Sequence, residues 1–256
     1  MVSPIKKCKG NVLIVEPNKT IADNLAFKIK SLGYKPITYN FPEEIDEKLI
    51  KKNNIIECIS EPKFNKLNKA GIEIGKLMHS HGIPTVFLTT QSIKDEEVMK
   101  ELHEAHAFGY LLKPCKTKKL DVLIEAALEI KKIYLHTPNN KYLKIRQLMV
   151  KNSYFIITKN KIILYVSDLL TVIAPNLDIS KSFKKNMFDF IPKEFQSLKA
   201  QYKLLSKKGG GVIDLPLYIN KEETTYEFFR DKAIILNYID DNKKNEACLH
   251  LLRKKK

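Results

Sequence analysis

Arginine is nearly missing from this chain of 256 residues: Arg146, Arg230 and Arg253 are its only examples, although lysine and arginine together number 45. Base-edge readout and forked phosphate recognition favour the guanidinium, so its scarcity weighs against a sequence-reading nucleic-acid binder. Cysteine is sparse and scattered. Cys8, Cys58, Cys115 and Cys248 form no CxxC pair, which excludes a thiolate metal cage and a dithiol redox motif and leaves free thiols as the reading. No apolar run approaches the roughly 18 to 20 residues of a membrane-spanning helix. The opening MVSPIKKCKG lacks the apolar core and small-residue cleavage site of a secretory leader, so a soluble cytoplasmic protein without membrane contact is expected. There is no GxSxG elbow and no phosphate-cradling glycine loop. The GGG at 209 to 211 follows a helical signal and precedes a strand, the reverse of the order a P-loop needs. An enzyme is not expected. Internal repeats and low-complexity segments are lacking as well.

The charge is abundant but uneven. The net formal charge is +16, of which +5 falls up to His136 and +11 beyond it. Such an excess suits an acidic partner, and a nucleic-acid-associated regulator using the basic second half is the rival reading. It rests on charge alone, because the lysines are spread over every loop. The closing RKKK reads as a solvated tail, with contact to nucleic acid or acidic lipid as its other use.

The first half alternates strand and helix signals. NVLIV is an apolar run, and Ile21, Leu25, Ile29 and Leu32 then recur at helical spacing up to Gly33. KPITYN, NIIECIS, IPTVFLTT and FGYLLKP supply four further strands. EEIDEKLIKK, AGIEIGKLMHSHG, KDEEVMKELHEAHA and TKKLDVLIEAALEIKKIYL supply the remaining helices. Five strands alternating with five helices predict a five-stranded parallel, doubly wound, flavodoxin-like α/β domain over 1–136, with sites beyond the carboxyl ends of its strands. Pro138 and two asparagines mark a linker at 137–140, and KYLKIRQLMVKN suggests a short helix after it. From 141 to 256 the pattern becomes α+β. SYFIIT and KIILYVS flank a tight Lys-Asn-Lys turn, short helical pieces follow, and VIDLPLYIN, TTYEFFRDKAIILNYI and EACLHLLR close an antiparallel sheet through NKEE and DDNKK turns.

The segment FGYLLKPC poses a chemical question. A lysine at the end of an apolar strand needs an anionic partner, since an unpaired buried charge costs several kcal/mol or neutralises. NVLIVEPN, SLGY, AGIEIG, IPTVFLTTQS and AFGYLLKP, in that order, resemble the receiver domain of two-component response regulators. The resemblance implies an acidic pair holding magnesium after the first strand, a phosphoryl-accepting aspartate after the third, a hydroxyl after the fourth and Lys-Pro after the fifth. Thr89, Lys113 and Pro114 match, and Tyr110 stands where that family has a rotating aromatic. Glu16 matches one acidic position, but Pro17 occupies the other. The third strand offers Ser60 or Glu61 and no aspartate. A serine lacks the carboxylate nucleophile and a glutamate reaches about one methylene too far. The expectation is therefore a degenerate pseudo-receiver that does not accept phosphate and holds magnesium poorly, with Lys113 paired to Glu16 or Glu61. Glu61 as a permanent mimic of the activated charge is the sharper variant, and a regulator phosphorylated on an atypical acceptor is the remaining alternative.

The second half resembles a PAS domain through SYFIITKNKIILYVSD, with Asp168 opening a helix, NMFDFIPKEF, and GGGVIDLPLYI with two long strands after it. LLTVIAPNLD departs from that family's Asn and Gly signatures. No cysteine lies between Lys151 and Ala247 for a flavin adduct, and the only histidine of this half that a haem could use is His250, on the last strand, so no cofactor is expected. Phe155, Phe188, Phe190 and Phe228 are the ligand-pocket candidates, with Phe183, Phe195 and Phe229 beside them, and filling of a core is the competing use of all these rings. His79, His81, His103 and His106 lie on two helices whose ends the fold brings to one sheet edge. Zinc would need the two pairs to meet, and solvated helix ends are the reading adopted, with no metal. Together these features describe a non-enzymatic signalling protein working through protein partners such as a kinase or another regulator, with homodimerisation through the PAS-like sheet or the last receiver helix.

Overall fold

The computed structural model describes residues 8–64, 69–90, 101–102, 104–135, 155–166, 182–190, 200, 203–204, 210–222, 225–240 and 243–254. The chain divides into two units, 1–131 and 132–256. The expected linker 137–140 and the helix expected at 141–152 lie outside the described residues, as does Asp168.

In the first unit, β1 (Asn11–Val15), β2 (Lys35–Tyr39), β3 (Ile55–Ser60), β4 (Thr85–Thr89) and β5 (Gly109–Leu112) form one sheet in the order β2-β1-β3-β4-β5. Every pairing is parallel. This is the doubly wound, flavodoxin-like order, whose direction reverses between β1 and β3 and opens a crevice at their carboxyl ends. Leu13, Val15, Cys58, Ile74 and Met78 pack one layer of core. Val12, Ile14, Phe87 and Leu88 are likewise shut from solvent, each worth roughly 2 kcal/mol of burial.

The helices α1 (Lys19–Ser31), α2 (Glu47–Asn53), α3 (Ala70–Ser80) and α4 (Thr117–Leu135) cover the sheet. Asn18 caps α1 by accepting the Ile21 amide at 3.1 Å, while Lys28 and Lys30 stand in its last turn. EEIDEKLIKK does not form one helix. Asp46 accepts the Leu49 amide at 2.7 Å and starts α2 there, leaving Pro42–Glu44 as a separate 3-10 turn. An aspartate in extended backbone is a stronger start signal than the apolar spacing that crosses it. Of the helix expected at KDEEVMKELHEAHA, Glu101, Leu102 and Glu104 are helical, and Ala105, His106 and Ala107 after them are not.

In the second unit, β6 (Phe155–Lys159), β7 (Ile162–Val166), β8 (Gly210–Glu222), β9 (Thr225–Asp240) and β10 (Lys243–Lys254) form an antiparallel sheet in the order β7-β6-β10-β9-β8. Asn160 and Lys161 both adopt positive φ, 50° and 70°, which makes the β6–β7 connection the tight mirror-image turn that the twist of a hairpin favours. Asn160 also ties that turn to β10 by accepting the Glu246 amide at 2.7 Å. The last three strands exceed their apolar cores. Glu222 pairs with Thr225 and Asp240 with Lys243, so NKEE and DDNKK are largely strand rather than turn. A ladder needs main-chain partners and not apolar side chains, so hydrophobic patterning marks only its packed middle. Met187–Phe190 is a 3-10 turn with Met187 and Phe188 buried.

Candidate functional site

The reversal point of the first sheet gathers the residues that follow β1, β3 and β5. Glu16 leaves β1 with its amide held by the Tyr39 carbonyl at 3.1 Å, and its own carbonyl accepts from Asn40 at 2.8 Å. Its Oε1 accepts the Asn18 amide at 3.1 Å, so the cap of α1 also orients the carboxylate. Glu61 leaves β3 with its amide on the Val15 carbonyl at 3.0 Å. Lys113 leaves β5 with its amide on the Thr89 carbonyl at 2.9 Å. Three strand ends thus deliver three charged side chains to one point.

There the Lys113 ammonium lies between both carboxylates, contacting Glu16 Oε2 and, at 2.5 Å, Glu61 Oε2. The side chains are 10%, 3% and 12% exposed, so the cluster is nearly dry. Burial pushes the Glu61 carboxyl above its ordinary range, the Lys113 hydrogen bond and charge oppose this, and the neighbouring Glu16 charge reinforces it. The question raised by FGYLLKPC has an answer: the strand-end lysine is met by two carboxylates from the adjoining strands. Of the two residues left open on β3, Glu61 reaches Lys113. Ser60 is buried and its hydroxyl donates to the Glu61 carbonyl at 3.0 Å. Pro17 is exposed, Thr89 is buried at the end of β4, and Tyr110 packs against the cluster of Ile72, Phe87, Leu102 and Ala105. Pro114 follows Lys113 through a cis peptide.

Glycine spacing in α3 fixes the Glu61 loop. A Cβ at Gly71 would strike the Glu61 and Pro62 carbonyls, and one at Gly75 would meet the Ala105 carbonyl at 2.5 Å. Only glycine at 71 lets the helix lie this close to the backbone that presents Glu61, and glycine at 75 lets the same helix lie against the Ala105 backbone.

Two further glutamates, Glu57 and Glu101, are buried in the first unit. Glu101, with a side chain 6% exposed, holds Lys63 at 3.0 Å and Lys69 at 3.2 Å and so clasps the β3–α3 connection. The Lys63 approach is poorly directed as a hydrogen bond but close as an ion pair. Burial alone would raise the Glu101 carboxyl; the two lysines outweigh it and hold it below its ordinary range. A glutamate within the amphipathic helical segment KDEEVMKELHEAHA carried no distinguishing signal. Glu57, in the middle of β3, is fully buried, and neither oxygen has a hydrogen-bond partner among the described residues. Its signal was a lone acid inside the apolar run NIIECIS.

The other candidates divide. His79 and His106 do meet, ring on ring at 4.1 Å with a 28° interplanar angle. Stacked imidazoles aim their lone pairs side by side rather than at one point, and among the described residues no group of three or more His, Cys, Asp or Glu is placed to hold a metal ion. His81 lies near the end of the same helix, and His103 is outside the described residues. Phe188 is buried and Phe190 half-buried, while the side chains of Phe155 and Phe228, and all of Phe195, lie outside the described part. His250 is buried beside Thr158 at 3.5 Å and Cys248 at 3.9 Å. Among the described residues no helix is long and apolar enough to cross a membrane.

No protein-family model matches the chain, and no curated protein does. Solved structures do. The signal receiver domain of a modulated diguanylate cyclase from Desulfovibrio desulfuricans G20 is 26% identical, over 49% of this chain and 98% of that one, with a TM-score of 0.44. A response regulator receiver domain protein from Clostridium thermocellum is 24% identical over 49% and 98%, with a TM-score of 0.41. The N-terminal domain of a response regulator/sensory box/GGDEF protein from Carboxydothermus hydrogenoformans is 22% identical over 49% and 99%, with a TM-score of 0.44.

Proposed function

We propose that the first unit is a signal receiver module that has given up phosphoryl acceptance and acts by binding a protein partner, and that the second is a PAS-like sensing or dimerisation module. The observation that carries this reading is the clasp of Lys113 by Glu16 and Glu61 at the reversal point of the sheet. A phosphoryl-accepting pocket needs a divalent cation on clustered carboxylates, a carboxylate free to attack phosphorus, and a lysine free to neutralise the product. Here the ammonium occupies the space between the only two carboxylates the described pocket offers, Pro17 contributes no ligand, and the Ser60 hydroxyl is committed to a carbonyl. These residues do not fit magnesium. The arrangement resembles a charge-satisfied, fixed state in which Glu61 supplies the negative charge permanently.

A module of this kind works through its surfaces, with a kinase or another regulator as the partner class and a second copy as the dimerisation partner. The test is incubation of the full chain with a small phosphoryl donor and magnesium, followed by intact mass spectrometry under mild conditions. The expected mass is unchanged. A phosphoryl adduct mapping to 60 or 61 would replace this reading with that of a regulator using an atypical acceptor.

A further inference from the structure

Two polar residues interrupt facing apolar stripes in the first unit. On β3, Glu57 pairs in register with Val12 of β1, both fully shut from solvent, in the middle of the sheet. On α4, Leu120, Ile124 and Ala127 form a fully buried stripe at helical spacing, and the next position on that stripe is Lys131, half-buried. Burial disfavours ionisation of Glu57, and the Lys131 charge favours it. Among the described residues neither Glu57 oxygen has a hydrogen-bond partner, an arrangement a carboxylate tolerates only by keeping its proton.

We propose that Glu57 is a proton-operated latch beneath α4, the helix through which the chain leaves the first unit: the helix lies closed on the sheet while the carboxyl keeps its proton, and ionisation of that carboxyl favours its opening. Other groups share the seam. Tyr34, just before β2, has a phenol pushed upward by its own burial and by Glu57, Glu125 and Asp121. Lys9 lies 5.0 Å over the Tyr34 ring and 3.7 Å from Glu125. Cys58, next on β3, is raised by burial and by Glu57. Among these groups Lys131 is the cation that favours the ionised Glu57, and burial has already lowered its own affinity for a proton.

The sign follows from linkage. In the closed state burial raises the Glu57 carboxyl well above 4.5, the Lys131 charge opposing; in the open, hydrated state it returns to the ordinary value. Between those two values the closed state holds one more proton than the open one, so opening becomes easier as pH rises, by up to about tenfold per pH unit.

The experiment uses the full chain with carbon-13 labelled glutamate, together with backbone hydrogen exchange converted to protection factors. The expected result is a Glu57 carboxyl titrating well above the ordinary glutamate range. The protection factors of α4 amides should fall by up to about tenfold per pH unit below that midpoint, while those of α3 on the other face do not follow. Glu57→Gln should abolish the slope. Lys131→Met should move the Glu57 midpoint further upward and extend the slope with it. Titration of Glu57 near 4.5, α4 protection independent of pH, a slope that survives Glu57→Gln, or one shared equally by α3 would each overturn the latch.

Discussion

Replacing Lys113 by methionine keeps the length of the side chain and removes its charge, leaving Glu16 and Glu61 facing each other with side chains 3% and 12% exposed. Removing one partner of a buried ion pair costs about 3 to 5 kcal/mol, because the remaining charge stays desolvated. Two carboxylates share the orphaned site here, so the upper part of that range applies at neutral pH, unless one of them takes up a proton. Each pH unit by which a carboxyl must be protonated against its solution value costs about 1.4 kcal/mol, which caps the loss near 4 kcal/mol at pH 7. For a unit of this size that corresponds to a fall in Tm of about 10 to 15 °C. The pH dependence has a definite sign. Without the ammonium, the Glu61 carboxyl, already raised by burial, lies further above its unfolded value, so its contribution is favourable below the unfolded range and is lost as pH rises. The deficit of K113M should therefore shrink toward about pH 4.5. Calorimetry of the full chain at both pH values reads it out, and adding Glu61→Gln should return about 1 to 2 kcal/mol at pH 7. A loss below about 1 kcal/mol at pH 7, or the same loss at both pH values, would show that the three groups are not an interdependent buried cluster.

Three further perturbations follow from the same packing. Gly71→Ala should destabilise by more than about 2 kcal/mol and displace the Glu61 loop, visible as shifted Glu61 and Lys113 resonances, because the new Cβ has only backbone carbonyls to push against. Glu101→Gln should matter above the unfolded glutamate range and cease to matter as acid protonates the native carboxyl, since that carboxyl is held low by Lys63 and Lys69; urea unfolding at about pH 7 and pH 3 compares the two. Asn18→Ala should lose the α1 cap, at about 1 kcal/mol by chemical denaturation, while the main-chain N–H at 18 still reaches Glu16.

The sheet of the first unit was legible because each strand was a short apolar run bounded by turn residues, and the α4 stripe from Leu120 onward gave that helix its bounds. Asp46 shows where periodicity misled: Ile45, Leu49 and Ile50 suit a helix that crosses the cap, and the cap decides. In the second unit β8 to β10 outran their apolar middles, since main-chain pairing continues where side chains turn polar. Glu16, Glu61 and Lys113 could be placed together from the order of strands and the Lys-Pro ending. That Lys113 bridges both carboxylates depends on the reach of side chains across three strand ends, which spacing does not encode. Glu57 showed as a lone acid in an apolar run, but the influence of Lys131 on it was hidden for the same reason, the two being far apart along the chain.

The most direct test of the closed pocket watches Lys113 itself. In the full chain with labelled lysine and glutamate, the Lys113 ammonium and the Glu16 and Glu61 carboxyls are followed by NMR while magnesium and then a phosphoryl donor are added to millimolar levels. The resonances should not move, and slow proton exchange of the ammonium should show that it stays clasped. A saturable magnesium shift at Glu16 or Glu61, followed by release of Lys113 when the donor arrives, would contradict it.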